Sequence, residues 1–301
     1  MFKIQLIGVI FFVLLITSAT GQAYSTNQLR FFYAGDGVLV LDRKIRFRDV
    51  QGNYLELGLK EIHRAFGAPW ALPYERLSLR FIEMLDYLQE QFNNGAFSIR
   101  SGYRSPNANQ SLRKKGRLAA MSSMHIEGAA ADLYLQGASS QKIFTTVRDW
   151  QCCGIGYYGS QHFHIDTGPV RWWDQNTSKT ESQEPQENEK IIIQTTQDIY
   201  FLGEKIDLQF MRVTNYPIDV HKTVTVESKN KSLKLDLRND VTNLNACMTL
   251  KNRAEARQLS IHLPEKKLEA GRYQIKITFC NKRDYAKMPD TILSNNFEIR
   301  K

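Results

Sequence analysis

The sequence predicts an α+β domain followed by an all-β sandwich, and three observations support this fold class. Two segments, 55–66 and 78–92, place apolar residues at the spacing of a helix that packs one face on a core. Runs at 97–101 and 130–135 have the composition of strands. Beyond residue 190, about seven short β-rich runs follow one another at the spacing typical of a β-sandwich.

The N-terminus predicts export. Lys3 precedes an apolar run from Ile4 to Ile16, and Gly21-x-Ala23 then offers a small-residue cleavage site. The run is shorter than the ~20 residues that span a bilayer, so we expect membrane contact only through an uncleaved signal. The predicted organisation is a signal peptide at 1–23, a first domain at 24–173, a polar linker at 174–190 and a β-sandwich domain at 191–301. We expect a periplasmic or extracellular protein.

Charge and cysteine content agree with this location. The formal net charge of +9 indicates an anionic partner. Because the protein is expected to be exported, a cell-wall polymer is the better candidate, and we do not expect nucleic acid. Four cysteines suit an oxidising compartment, and Cys247 and Cys280 are candidates to bridge two strands. The adjacent Cys152 and Cys153 are interpreted as buried small residues, because neighbouring cysteines rarely bridge each other.

One arginine follows the predicted strand 97–101. Ser101-Gly102-Tyr103-Arg104-Ser105 and the turn after it place Arg104 at the strand end, where side chains often serve a site. Its planar guanidinium could hold a carboxylate through paired hydrogen bonds. A solvated surface arginine is the alternative.

Two stretches far apart in the chain carry the candidate metal ligands. His125 and Asp132 are seven residues apart, which on one helix would separate them by ~10 Å. Because Gly128 interrupts the segment, we expect His125 in a loop and Asp132 on the strand 130–135.

The second stretch alternates His162, His164 and Asp166, which in an extended strand project from one face. Two histidines and one carboxylate give a catalytic zinc site three protein ligands and leave a fourth position open. The sequence therefore predicts a Zn²⁺ site built from both stretches.

Four motifs in order carry a family resemblance: Ser101-Gly102-Tyr103-Arg104-Ser105, Ser123-x-His125-x-x-Gly128-x-Ala130-x-Asp132, Gly154-Ile155-Gly156-Tyr157-Tyr158, and 164–171. Over roughly residues 30–173 the chain resembles the zinc D-alanyl-D-alanine metallopeptidases of the cell wall, most closely the MepK-type periplasmic murein endopeptidases. The resemblance implies a hedgehog/D-Ala-D-Ala-peptidase-like domain, with a central antiparallel sheet and flanking helices. A weaker resemblance, at 270–275, suggests that the β-sandwich is immunoglobulin-like.

The resemblance also implies site roles. His125, Asp132 and His164 match the zinc ligands, and Arg104 and Ser123 match positions that orient substrate or stabilise the developing oxyanion. The general base stays open. Many relatives carry an acidic residue where this chain has Gln161, other branches use a histidine in the position of His162, and the nearest group retains the aspartate that matches Asp166.

The implied activity is hydrolysis of peptide bonds in peptidoglycan, by endopeptidase cleavage of cross-links or by D,D-carboxypeptidase trimming. A non-catalytic, zinc-containing module that binds the cell wall is the alternative. The β-sandwich is predicted to bind wall, a protein partner or the first domain.

Overall fold

A computed structural model describes residues 27–35, 39–117, 119–159, 162–177, 187–229, 231–238, 246–265, 268–282 and 285–300. The predicted signal peptide, Gln161 and the middle of the predicted linker lie outside these ranges. Across the ranges given, no helix is long and apolar enough to cross a membrane. We refer to residues 27–177 as the N-terminal half and to residues 187–300 as the C-terminal half.

The N-terminal half contains helices and strands in mixed order. The helices are α1 (Glu56–Ala65), α2 (Leu79–Gln91), α3 (Pro106–Lys114) and α4 (Ser140–Trp150), with a 3₁₀ turn at Pro73–Glu75. The strands are β1 (Gln28–Gly35), β2 (Leu39–Arg46), β3 (Phe97–Ser101), β4 (Ala130–Leu135), β5 (Gly154–Tyr157), β6 (Phe163–Asp166) and β7 (Arg171–Asp174). The two helices and two strands on which the predicted fold class rests are present as α1, α2, β3 and β4.

The strands of the N-terminal half form one sheet in the order β2-β1-β3-β4-β6-β5-β7. Its middle strands, β3, β4, β6 and β5, pair antiparallel, whereas β1 pairs parallel with β3 and β5 pairs parallel with β7. The N-terminal half is thus α+β with antiparallel strands at its centre, as predicted.

The two faces of this sheet differ in character because side chains alternate along each strand. On one face of β4 and β6 the apolar side chains pack with α2 and α4 in a buried cluster that includes Leu133, Phe163, Ile165, Leu85 and Val147. On the other face β4 and β6 carry Asp132, Tyr134, His164 and Asp166. The helices therefore stabilise one face and leave the other to the polar residues.

Helix α3 differs from the sequence interpretation, which treated Ser105 and Pro106 as a turn. Ser105 is the N-cap: its Oγ accepts a hydrogen bond from the backbone N–H of Ala108 at 3.2 Å, and Pro106 occupies the first turn. Both residues are as typical of a helix start as of a turn. Arg104 consequently lies at the junction of β3 and α3.

The C-terminal half is mostly β. Its strands are β8 (Ile192–Thr195), β9 (Ile199–Phe201), β10 (Lys205–Met211), β11 (Ile218–His221), β12 (Thr223–Glu227), β13 (Ser232–Asp236), β14 (Cys247–Leu250), β15 (Leu259–His262), β16 (Gly271–Asn281), β17 (Thr291–Leu293) and β18 (Phe297–Arg300), with a short helix α5 (Arg253–Ala256). One sheet has the order β15-β10-β8; in a larger sheet β13-β12-β16-β11-β14 form the main path and β17, β18 and β9 extend it. Their apolar side chains form a second buried cluster, which runs from Ile191 to Ile299.

The cysteines form two disulfides. Cys247 and Cys280 join β14 to β16, in agreement with the predicted bridge between strands. The interpretation of Cys152 and Cys153 as unbridged residues is wrong, because their sulfur atoms are bonded to each other. This bridge lies in the turn between α4 and β5, with Cys152 exposed and Cys153 buried.

Candidate metal centre

Two neighbouring strands and one loop bring His125, Asp132 and His164 together. Strands β4 and β6 are antiparallel, and their register places Asp132 directly opposite His164. His125 comes from the loop 121–129 that enters β4. The loop turns at Gly128, where φ is +63° and an added Cβ would lie 2.6 Å from the carbonyl oxygen of Arg76. A glycine is therefore needed where the chain doubles back.

The two histidine rings are oriented by hydrogen bonds on their far sides. Nδ1 of His125 donates to the carbonyl oxygen of Gly102 at 2.7 Å, which leaves Nε2 facing Asp132 and His164. Nε2 of His164 donates to Oδ2 of Asp166 at 2.8 Å, which leaves Nδ1 facing Asp132. A metal-binding histidine usually has such a partner on its second nitrogen.

The three inward atoms form a small triangle. Nδ1 of His164 lies 3.0 Å from Oδ1 of Asp132 and 3.3 Å from Nε2 of His125, and the third side measures 3.4 Å. Tetrahedral zinc, with bonds of about 2.0–2.1 Å, places its ligands roughly 3.3 Å apart. Both histidines are buried. The donor set and its spacing therefore fit a zinc ion.

A second group of potential ligands, His221 with Cys247 and Cys280, does not fit a metal ion. Its two sulfur atoms are bonded to each other, so neither is available as a thiolate. Within the ranges that the structure describes, the triangle at His125, Asp132 and His164 is the remaining group.

Asp166 lies behind His164 and is completely buried. Oδ1 accepts from the backbone N–H of Gly168 at 2.8 Å and from Arg171 at 3.0 Å, and Oδ2 accepts from His164 and from Arg171 at 2.5 Å. Burial alone would raise the pKa of Asp166, but Arg171 and His164 outweigh it and hold the pKa below its ordinary value. Asp166 is therefore a carboxylate whose two oxygens already have donors.

His162 lies just before β6 and has different surroundings. Its ring stacks on Tyr158 with centroids 4.7 Å apart. Burial lowers its pKa. Among the described residues its buried Nδ1 has no hydrogen-bond partner. One ring nitrogen of His162 is therefore not bonded to another described group.

The predicted substrate-handling residues both contact the ligand set. Arg104 donates from its terminal NH2 group to Oδ2 of Asp132 at 2.9 Å and from Nε to Oγ of Ser101 at 3.0 Å. Oγ of Ser123 accepts from the backbone N–H of His125 at 3.3 Å. Arg104 thus holds the oxygen of Asp132 that lies outside the triangle, and Ser123 holds the His125 loop.

Trp173 is a site residue that the sequence interpretation missed. It lies opposite Gly156, whose own partner on the other side is His164. A Cβ at Gly156 would lie 2.6 Å from the indole, so the ring lies over this glycine, with its centroid 5.1 Å from that of His164. Its Nε1 donates to the hydroxyl of Tyr158 at 3.0 Å. The sequence signal was the small residue of Gly-Ile-Gly-Tyr-Tyr, which permits close approach of a large ring.

The fold and the site together define a candidate metal centre with three potential protein ligands on the polar face of an α+β sheet. A family model described as "Peptidoglycan L,D-endopeptidase MepK" matches residues 26–173. This match confirms the resemblance to the MepK-type peptidases that was drawn from the four motifs.

Curated relatives match a shorter part of the chain. The probable peptidoglycan L,D-endopeptidase MepK of Haemophilus influenzae is 37% identical over 81 residues, which are 27% of this chain and 44% of that protein. The peptidoglycan L,D-endopeptidase MepK of Escherichia coli K12 is 40% identical over 74 residues, 24% of this chain and 41% of that protein. A Shigella flexneri protein of the same name gives the same values. The chain thus spans less than half the length of these relatives.

Proposed function

We propose that this chain is an exported zinc-dependent peptidase that hydrolyses peptide bonds of peptidoglycan. The observation that carries the proposal is the triangle of His125 Nε2, Asp132 Oδ1 and His164 Nδ1, with sides of 3.0–3.4 Å, inside a segment of the MepK-type family. The relatives are named as peptidoglycan L,D-endopeptidases, which favours endopeptidase over carboxypeptidase action.

The remaining predictions accompany this proposal. They are the signal peptide at 1–23, the domains at 24–173 and 191–301 with a linker between them, and a hedgehog/D-Ala-D-Ala-peptidase-like fold followed by an immunoglobulin-like sandwich. We also propose a periplasmic or extracellular location and an anionic peptidoglycan partner. The net charge of +9 supports the anionic partner.

In this function the side chains of the protein bind the metal ion, orient its ligands and transfer protons. His125, Asp132 and His164 would hold the ion, which when bound supplies a Lewis acid and lowers the pKa of water. Arg104 fixes Asp132 through the oxygen outside the triangle and brings a positive charge to the site. That charge suits a substrate carboxylate or an oxyanion. Ser123 holds the backbone of His125 and, as predicted from the motif, would contact the substrate.

The general base is assigned to His162 and the orientation of His164 to Asp166. Asp166 already accepts hydrogen bonds on both oxygens and lies on the side of His164 away from Asp132. His162, two residues before His164, has an unpartnered Nδ1 among the described residues, and its ring centroid lies 6.3 Å from that of Tyr134 on the polar face of β4. A general base needs a nitrogen or oxygen that can still accept a proton.

The test is digestion of purified sacculi, with chromatography of the soluble products and measurement of the zinc content of the protein. We expect the wild-type protein to bind about one zinc per chain and to remove cross-linked dimers, and His164→Ala to do neither. The exposed His262 on β15 is a matched control, since His262→Ala leaves both quantities unchanged. A wild-type protein that holds zinc but leaves sacculi intact would identify a wall-binding module instead. Loss of pentapeptide stems with intact cross-links would indicate a carboxypeptidase.

A further inference from the structure

Glu127 is a buried carboxylate two residues from His125, and its partners come from the C-terminal half. Oε2 lies 2.7 Å from NH1 of Arg253 and 3.0 Å from NH1 of Arg257. Oε1 accepts the backbone N–H of Arg212 at 2.7 Å. The side chain of Glu127 is 4% exposed and that of Arg257 is 0% exposed, so this is an internal ion cluster between the two halves of the chain.

The same arginines also hold the backbone of the loop. Arg253 donates to the carbonyl oxygen of Ile126 at 2.6 Å, and Arg257 donates to the carbonyl oxygen of Glu127 at 2.9 Å. Arg212 donates to the carbonyl oxygen of Ser122 at 3.2 Å and to its hydroxyl. These bonds fix the chain on both sides of His125.

Apolar and uncharged contacts also join the C-terminal half to the loop that carries His125 and to the end of the strand that carries His164. Met124 and Ala130 pack in one buried cluster with Met211 of the C-terminal half. The hydroxyl of Thr167, next to Asp166, donates to Oε1 of Gln194 at 3.2 Å. Nε2 of Gln194 donates in turn to the backbone carbonyl oxygen of Thr167 at 2.5 Å. The C-terminal half therefore contacts both segments that supply histidines to the metal centre.

Adhesion between the halves does not by itself explain this ion cluster. Removing two guanidinium groups and a carboxylate from water costs several kcal/mol per ion, and apolar side chains of similar size often stabilise an interface as well or better. The cluster does supply directional bonds, and these end on the loop 122–127. Another ion pair joins the halves, between Arg80 and Asp198 at 2.6 Å, but Arg80 belongs to α2 and not to this loop.

We propose that Arg212, Arg253 and Arg257 are positioning residues for the metal centre. By holding Glu127 and the carbonyl groups beside it, they fix the loop in the conformation that places Nε2 of His125 in the ligand triangle. The C-terminal half is then part of the catalytic unit. This inference rests on the zinc centre of the proposed function.

The test measures zinc affinity in the full-length chain by competition with a chromophoric chelator, at a temperature where circular dichroism shows every variant folded. Arg253→Met removes the charge and both bonds to the loop, and Glu127→Gln removes the carboxylate. For either variant we expect zinc binding roughly tenfold weaker, the lower end of the loss found for outer-shell partners of metal ligands. Arg253→Lys keeps the charge but only one donor nitrogen, and its zinc affinity should fall between those of Arg253→Met and wild type.

The matched control is Arg80→Met, which breaks the ion pair on α2 and should leave zinc affinity unchanged. Equal zinc affinities in wild type, Arg253→Met and Glu127→Gln would overturn the inference and leave the zinc centre intact. So would an equal loss in Arg80→Met, because the arginines would then only join the halves. A folded wild-type protein without zinc affinity would instead overturn the metal centre itself, and this inference with it. If Arg253→Met does not fold, Arg253→Lys and Glu127→Gln decide the question.

Discussion

Replacing Asp166 by asparagine separates orientation of His164 from proton transfer. Asparagine keeps the size of the side chain and one acceptor oxygen, but it presents an amide N–H₂ to neighbours that are all donors, namely His164, Arg171 and the backbone of Gly168. The substitution also leaves Arg171 without its buried counter-charge. Both effects act on the hydrogen bond that fixes the ring of His164.

The magnitude follows from burial. Breaking a fully buried ion pair costs about 3–5 kcal/mol of unfolding free energy. The side chain of Arg171 is 34% exposed and can turn into water, so we discount this to about 2–3 kcal/mol. Because Asp166 holds the second nitrogen of a ligand, zinc affinity should fall roughly 10–100-fold.

The assay combines urea denaturation with competitive zinc titration and the rate of muropeptide release. Asp149→Asn is the matched control, since Asp149 is exposed and lies on α4, and its stability, zinc affinity and hydrolysis rate should all match wild type. His162→Ala should keep zinc affinity and lose hydrolysis. If Asp166→Asn instead kept zinc affinity and stability while hydrolysis stopped, Asp166 would be the base and the assignment of His162 would be refuted.

Three further predictions concern stability. His63 is buried between the carbonyl oxygen of Leu59 and the backbone N–H of Leu77, and burial lowers its pKa from 6.5 to about 4. The unfolded chain therefore binds the extra proton between these values, and urea melts should show stability falling by about 3 kcal/mol as pH drops from 6.5 to 4. His63→Gln should flatten this slope, and an unchanged slope would contradict the assignment. Gly156→Ala places a Cβ against the indole of Trp173 and should lower the free energy of unfolding by about 1–3 kcal/mol. A double mutant that adds Trp173→Phe should recover part of this loss. If the two losses are simply additive, this contact is not the cause. Replacing Cys247 and Cys280 with serine opens a link across 33 residues and should cost about 3–4 kcal/mol in reducing-agent-free denaturation, whereas a change below 1 kcal/mol would show that the bridge adds little.

The meeting of the three candidate ligands could be predicted because the position of each follows from a local rule. Alternation along a strand put His164 and Asp166 on one face, and the register of β4 with β6 agrees, since Asp132 pairs with His164 and Ala130 with Asp166. Gly128 indicated that the chain turns between His125 and Asp132, and its positive φ shows that it does. Such patterns span only a few residues, so the sequence alone displays them.

The supports of the site could not be predicted in this way. Arg253 and Arg257 lie 126 and 130 residues from Glu127 and belong to no motif that points to the loop. Trp173 is separated from Tyr158 by 15 residues and reaches it only because β5 and β7 pair parallel. The bridge between Cys152 and Cys153 is an exception to the general rule that adjacent cysteines seldom form a disulfide with each other. These contacts depend on tertiary structure and not on local spacing.

The distance along the chain between Glu127 and its arginines has a consequence for biosynthesis. A nascent chain that has emerged only as far as residue 250 already contains His125, Asp132 and His164, but it lacks both guanidinium groups that bind the carboxylate of Glu127. Until those residues arrive, a charged side chain that is buried in the finished molecule must stay in water. The order of synthesis therefore leaves the loop 122–127 without two of its anchoring side chains until residue 257 has been made.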